Sequence, residues 1–143
     1  MASLIIYLDS SIVVPLFLPD EFNARAEAFL LAGPTGLVIS DFVRAEFASV
    51  VGIRARTKEM SVTAARAALS NLDLWEGRKT ARAETNAADI RAAEEMLRRL
   101  NMTLRAPDAI NLAIARRLGA ELATFDERMA NCAKVLGVAL TKL

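Results

Sequence analysis

The 143-residue chain contains no histidine. That absence removes imidazole acid–base chemistry, the Ser–His and Cys–His nucleophile pairs, and every zinc site that uses histidine. Cysteine is reduced to Cys132, so neither an internal disulfide nor an all-cysteine zinc site can form. This cysteine usage fits a reducing cytoplasm, where we expect the protein to work. An excess of either charge is also lacking, with 18 Lys and Arg against 17 Asp and Glu. No global field therefore steers the chain to nucleic acid or a membrane, and any polyanion binding must come from local clustering.

Repeats, low-complexity tracts and linkers are absent, and the length suits one domain spanning 1–143 with a sizeable core. Hydrophobic residues reach 54%, which is apolar for a soluble monomer and suggests surface covered by a partner. Phe17, Leu18, Phe22 and Trp75 are candidates for that surface. Residues 4–18 are the most apolar stretch, but Asp9 lies in its middle, Pro15 interrupts it and no basic residue precedes it. It reads as a folded core element, with no membrane partner.

The apolar runs are short. Ile5–Leu8 (IIYL) and Gly36–Ser40 (GLVIS) suit buried strands, as does Glu121–Phe125, and Val135–Leu140 is expected to hold the last strand. Helical spacing is visible over Asp20–Leu31, Asp41–Arg56, Ser61–Trp75, Asn86–Leu100, Pro107–Arg117 and Asp126–Lys134, while Gly77–Thr85 reads as a polar connection. Short buried strands alternating with helices imply crossover connections. The expected fold is α/β, a three-layer α/β/α domain around a mainly parallel sheet of four to five short strands.

In such a sheet, chemistry lies in the crevice beyond the carboxyl ends of the strands. Asp9 ends the first strand, Asp126 follows the third, Asp108 opens the Pro107 helix, and Glu46 lies one turn into the helix after GLVIS. Asp9 and Asp126 also suit caps or turns, and Asp108 suits a helix dipole. Glu46 has Phe42, Val43, Ser49 and Val50 as helical neighbours, so its carboxylate needs a cation or a salt bridge. Carboxylates gathered at one edge repel unless a cation balances them. With only oxygen donors, that cation is a hard ion, Mg²⁺ or its substitute Mn²⁺, rather than zinc. Ser10 and Thr124 carry hydroxyls beside the strand ends, suited to holding water or orienting the carboxylates.

The pieces YLDSSIVV, SDFVRAEFASV, RAPDAINLAIA and LATFDERMA, in that order, resemble the PIN-domain family, and within it the VapC-type ribonuclease toxins of toxin–antitoxin pairs. The resemblance covers nearly the whole chain. It implies a PIN-like fold and a catalytic quartet of Asp9, Glu46, Asp108 and Asp126, with Ser10 and Thr124 supporting. Asp9, Asp108 and Asp126 would be the main Mg²⁺ ligands, direct or through water, and Glu46 would position a water or support the ligands from behind. Asn111 stands where these proteins often have histidine, and Asp89 is a further family-like acid that capping explains equally well. The family implies hydrolysis of an RNA phosphodiester to a 5′-phosphate and a 3′-hydroxyl, a cognate antitoxin and a homodimer.

RNA also requires cations near the cleft. Arg44, Arg54, Arg56 and Lys58 form one basic cluster, and Arg78, Lys79 and Arg82 another, though each also reads as solvated helix surface. The GRKT at Gly77 lacks the upstream glycine and preceding strand of a phosphate loop. A phosphatase using Asp9 as phosphoryl acceptor would need an aspartate at position 11, which is serine. A non-catalytic PIN-like module that only binds RNA or protein is the remaining alternative.

Overall fold

A computed structural model describes residues 4–143. The elements are β1 (Ile6–Leu8), α1 (Ser10–Phe17), α2 (Asn23–Leu31), β2 (Leu37–Ser40), α3 (Asp41–Arg56), α4 (Val62–Lys79), β3 (Ala81–Ala83), α5 (Ala87–Arg98), α6 (Ala106–Leu118), β4 (Glu121–Ala123) and α7 (Glu127–Val135). The four strands form one sheet in the order β3-β2-β1-β4, and every pairing is parallel. Parallel neighbours demand helical crossovers, so the sheet is the middle of three layers, as the alternation of elements predicts.

The register places Tyr7 beside Val38 on one side and Leu122 on the other. Ile6, Tyr7 and Leu8 are all buried, as expected of a central strand covered on both faces. Helices α1, α3 and α4 pack on one another, and α5 packs against α6. The strand order reverses between β1 and β4: β2 and β3 are laid to one side of β1, and β4 to the other. A crevice opens at such a switch point, beyond the carboxyl ends. Asp9 follows the last residue of β1, and its N–H reaches the carbonyl of Ala123 at the end of β4 at 3.1 Å.

Three local features add to or correct the expectations. First, α1 begins at once after Asp9 and carries Pro15 within it. Proline removes one helical N–H, but Ile12, Val13 and Val14 are buried, and that packing holds the turn. Asn23 then donates to the carbonyls of Pro15 and Leu18 at 2.7 and 2.8 Å, which satisfies part of the exposed helix end.

Second, Gly77–Thr85 is not merely a connection, since α4 runs to Lys79 and β3 follows. Buried Glu76 anchors this corner, accepting from Arg44 on α3 and from Arg82 of β3 at 2.7 Å. As an edge strand with two exposed residues, β3 has no apolar run to announce it.

Third, Val135–Leu140 is not a strand. Helix α7 reaches Val135, Gly137 adopts φ +75°, and only Leu140 bridges to Leu122.

The expected partner-facing aromatics are also largely engaged within the chain. Leu18 is buried. Phe17 packs edge-on against Phe47 and Trp75, with centroids 5.9 and 5.7 Å away, and Phe22 stacks on Phe125 at 5.0 Å. The large apolar side chains left exposed include Leu31, Ile53, Val62 and Leu74.

Candidate active site

Each acid of the quartet arrives on a different element. Asp9 sits at the β1–α1 junction, Glu46 on α3, Asp108 in the first turn of α6, and Asp126 at the cap of α7. All four line one cleft of about 490 Å³, together with Ser10, Ser11, Asp20, Phe22, Arg54 and Arg105. The rigid sheet edge thus gathers residues separated by up to 117 positions of sequence.

Asp9 is the most enclosed, at 5% exposure. Its Oδ2 accepts from the hydroxyls of Ser11 at 2.8 Å and Thr124 at 2.9 Å. Those hydroxyls are oriented in turn, because the Phe125 N–H donates to Ser11 Oγ at 2.9 Å and the Asp126 N–H to Thr124 Oγ1 at 3.0 Å. With its oxygen occupied as an acceptor, each hydroxyl aims its proton at Asp9. Burial still dominates and pushes the Asp9 carboxyl above its ordinary value, with the two hydroxyls opposing the rise.

Ser11 was not singled out from the sequence. The signal lay in the second hydroxyl of the Asp-Ser-Ser run, whose neighbour Ser10 also lines the cleft but on the Glu46 side.

Glu46 is half-buried, and its carboxyl is pushed up to about 7 by burial, with the charges of Asp9 and Asp108 adding to the rise. The Asn111 side chain opposes it by donating to Oε1 at 2.8 Å. Behind Asn111 stands Tyr7, whose hydroxyl donates to Asn111 Oδ1 at 2.5 Å and lies 2.7 Å from Ser40 Oγ. Burial above all drives the Tyr7 phenol upward from its usual range. This buried chain behind Glu46 is invisible to motif reading.

Asp126 also caps α7, accepting from the N–H groups of Arg128 and Met129 at 2.9 and 3.2 Å. Asp108 projects from the first turn of α6, which Pro107 preorganises. Asp89 lies outside the cleft. It accepts from the Asn86 N–H and from Arg117 at 2.8 Å each. Burial would raise its carboxyl, but Arg117 and the Asn86 amide outweigh that and hold it below the usual range.

Among the expected RNA-facing cations, Arg44 and Arg82 are committed to Glu76, while Arg54 lines the cleft and donates to the Pro19 carbonyl at 2.7 Å. Arg105, which the sequence reading did not select, also lines the cleft. Among the described residues, neither Arg54 nor Arg105 forms a salt bridge with an acid.

The donor set is therefore all oxygen, with at least two carboxyls destabilised as anions. Among the described residues, no three acids stand close enough to coordinate one ion as they are. A hard divalent cation would fit this chemistry, because it favours the anionic form of carboxyls that burial first, and neighbouring charge second, disfavour. Carboxylates at a switch point can hold such an ion and present it to a phosphodiester in an open cleft.

Comparison with known proteins identifies the family and the fold. Residues 6–135 match the PIN domain. The chain is 34% identical over 138 residues to Ribonuclease VapC46 of Mycobacterium tuberculosis, covering 94% of this chain and 95% of that one. The fold matches Mycobacterium tuberculosis VapC20, a sarcin–ricin loop cleaving toxin, with a TM-score of 0.74 at 20% identity, over 96% and 99% of the two chains. It also matches VapBC2 from Rickettsia felis bound to a promoter DNA fragment, with a TM-score of 0.67 at 19% identity, over 96% and 98%. The chain belongs to the PIN-domain family and, within it, to the VapC type of ribonuclease toxin.

Proposed function

We propose that this protein is a Mg²⁺-dependent endoribonuclease, the toxin of a toxin–antitoxin pair, which hydrolyses RNA phosphodiesters in the acidic cleft. The observation that carries this reading is the meeting of Asp9, Glu46, Asp108 and Asp126 from four elements in one cleft. Asp9, Asp108 and Asp126 would hold the ion, directly or through water, and Mn²⁺ should substitute for Mg²⁺. When bound, the ion supplies a lowered water pKa and neutralises charge on the departing oxygen.

The chain's own groups do the remaining work. Ser11 and Thr124 fix the Asp9 carboxylate. Glu46, with a carboxyl near pH 7 in the metal-free protein, accepts a hydrogen bond from the attacking water and orients it. Arg54 and Arg105, free of acid partners, take the phosphates flanking the scissile bond.

The test is to map the ends of the cleaved RNA. A 5′-phosphate and a 3′-hydroxyl are expected. A 2′,3′-cyclic phosphate would point to attack by the RNA's own hydroxyl and overturn the reading. RNA binding without any cleavage would favour the non-catalytic module instead.

The same cleft suggests how a partner silences the toxin. A groove of about 670 Å³ lined by Phe17, Pro19, Met60, Ala64 and Ala68 adjoins the acidic cleft through the shared Arg54. An antitoxin segment lying there, close to Phe42–Val50, would place an arginine or lysine among the carboxylates and compete with the ion. Weaker Mn²⁺ binding by the complex than by the toxin alone supports displacement, whereas unchanged binding leaves occlusion only. Family membership also supports a homodimer in the cytoplasm, checked by sedimentation at micromolar concentration. No helix among the described residues is long and apolar enough to cross a membrane.

A further inference from the structure

We propose that Ser40, Tyr7 and Asn111 form a directional hydrogen-bond relay whose task is to orient the Glu46 carboxylate toward the cleft. The proposal rests on the nuclease reading for its consequence, but its geometry stands independently.

Ser40 Oγ accepts from the Val43 N–H at 3.0 Å, capping α3. The Tyr7 hydroxyl spends its one proton on Asn111 Oδ1. The 2.7 Å contact between Tyr7 and Ser40 can then be satisfied only by the Ser40 proton, so Ser40 donates to Tyr7. With Oδ1 fixed toward the phenol, the Asn111 amide has a single orientation, and Nδ2 must face Glu46. Flipping it would set Asn111 Oδ1, an acceptor, against the ionised Glu46 Oε1.

Tyr7 and Ser40 are fully buried and Asn111 is 1% exposed, so water does not compete for these bonds. Among the described residues, no buried side-chain polar atom lacks a partner. The relay begins at the end of β2, crosses central strand β1 and reaches α6 before meeting Glu46 on α3. It therefore ties Glu46 to the sheet as well as to the capped start of its own helix. One oxygen of Glu46 is held by a permanent donor, which leaves the other for the cleft.

A purely structural role makes a different demand. A core at this place can be filled by apolar side chains, since replacing bonded polar groups together with well-packed apolar ones is often nearly neutral. Three successive polar groups that end on a cleft carboxylate are explained by positioning. Ser40, Tyr7 and Asn111 are accordingly positioning residues, acting through Glu46.

The experiment compares wild type, Tyr7→Phe, Asn111→Leu and Glu46→Gln. Each is measured for Mn²⁺ affinity by calorimetry, for single-turnover RNA cleavage and for KM. Tyr7→Phe and Asn111→Leu should each lower the cleavage rate by about 10- to 100-fold and weaken Mn²⁺ binding by about 10-fold. KM for RNA should stay within about twofold, because no RNA contact is removed. Adding Glu46→Gln to Asn111→Leu should cost little more, since both disable the same group.

Folded variants with wild-type rate and Mn²⁺ affinity would overturn the relay, even if their melting temperatures fell. If Asn111→Leu does not fold, Tyr7→Phe removes only a hydroxyl and decides the question alone. Weakened Mn²⁺ binding in variants of a protein that cuts no RNA would uphold the relay and sink the nuclease reading. Failure of the wild type to bind Mn²⁺ would remove the relay's task and overturn it.

Discussion

Glu46→Gln should stabilise the metal-free protein at neutral pH and flatten its response to pH. The Glu46 carboxyl sits at about 7 instead of 4.5, because burial and the charges of Asp9 and Asp108 disfavour the anion. The folded state thus holds a proton that the unfolded chain releases, so stability from this group is present below pH 4.5 and lost as pH rises through 7. At about 1.36 kcal/mol per pH unit, the displacement bounds the effect at about 3.4 kcal/mol. Solvent screening at this half-buried position reduces it to about 1–2 kcal/mol. Glutamine keeps the oxygen that accepts from Asn111 but never ionises.

The assay is urea unfolding in EDTA at half-unit steps from pH 4.5 to 8. Wild type and variant should nearly coincide at the acid end, with the variant ahead by about 1–2 kcal/mol at pH 8. Thermal scans should show a gain of roughly 3–6 °C there. A difference that is constant with pH, or that favours the wild type as pH rises, would refute the claim of a strained carboxylate. Saturating Mn²⁺ should reverse the ranking, because a divalent charge held beside Glu46 favours its ionised form and the ion stabilises the folded state that binds it.

Other consequences are simpler to check. Gly36→Ala should cost about 3 kcal/mol or prevent folding, measured by denaturant melts. Gly36 has φ +73°, and an added Cβ would lie 2.1 Å from the Leu4 carbonyl oxygen, beside the Gly36 carbonyl that receives the Ile6 N–H. Leu100→Gly should gain about 0.5–1 kcal/mol in the same assay, since Leu100 is 90% exposed and adopts φ 59°. Arg105→Ala should weaken RNA binding by Asp9→Asn protein and reduce the slope of log affinity against log salt by about 0.7, as loss of one phosphate contact on single-stranded RNA requires. An unchanged slope would remove Arg105 from the RNA path.

The parts of the fold visible in sequence were those whose burial leaves a local pattern. Buried β1, β2 and β4 each carry short apolar runs, and α6 is marked by Pro107 and Gly119. Edge strand β3 was not visible, because Ala81 and Arg82 face solvent and the strand is held by its pairing with β2 and by the Arg82–Glu76 contact, neither of which leaves an apolar run. Helix α1 was obscured because the tertiary burial of Ile12, Val13 and Val14 overrides Pro15.

The same division holds in the cleft. Asp9 and Asp126 stand where strand ends place them, which sequence can show. Ser11 differs from Ser10 only in the direction a first helical turn gives it, which sequence cannot show. Tyr7 reads alone as a core aromatic, Ser40 as a cap and Asn111 as an interior helix residue. Their joint meaning lies in contacts 33, 104 and 65 residues apart.

The central claim is that the four acids form one metal-dependent nuclease site. Its most direct test is cleavage of structured RNA by wild type and Asp9→Asn, in EDTA and after Mg²⁺ is restored. Asparagine keeps an oxygen for Ser11 and Thr124, so the variant should fold with a melting temperature at or slightly above that of wild type. Wild type should cut only with Mg²⁺, and the folded variant under neither condition. Cleavage that persists in EDTA, or in folded Asp9→Asn protein with Mg²⁺, would contradict the account.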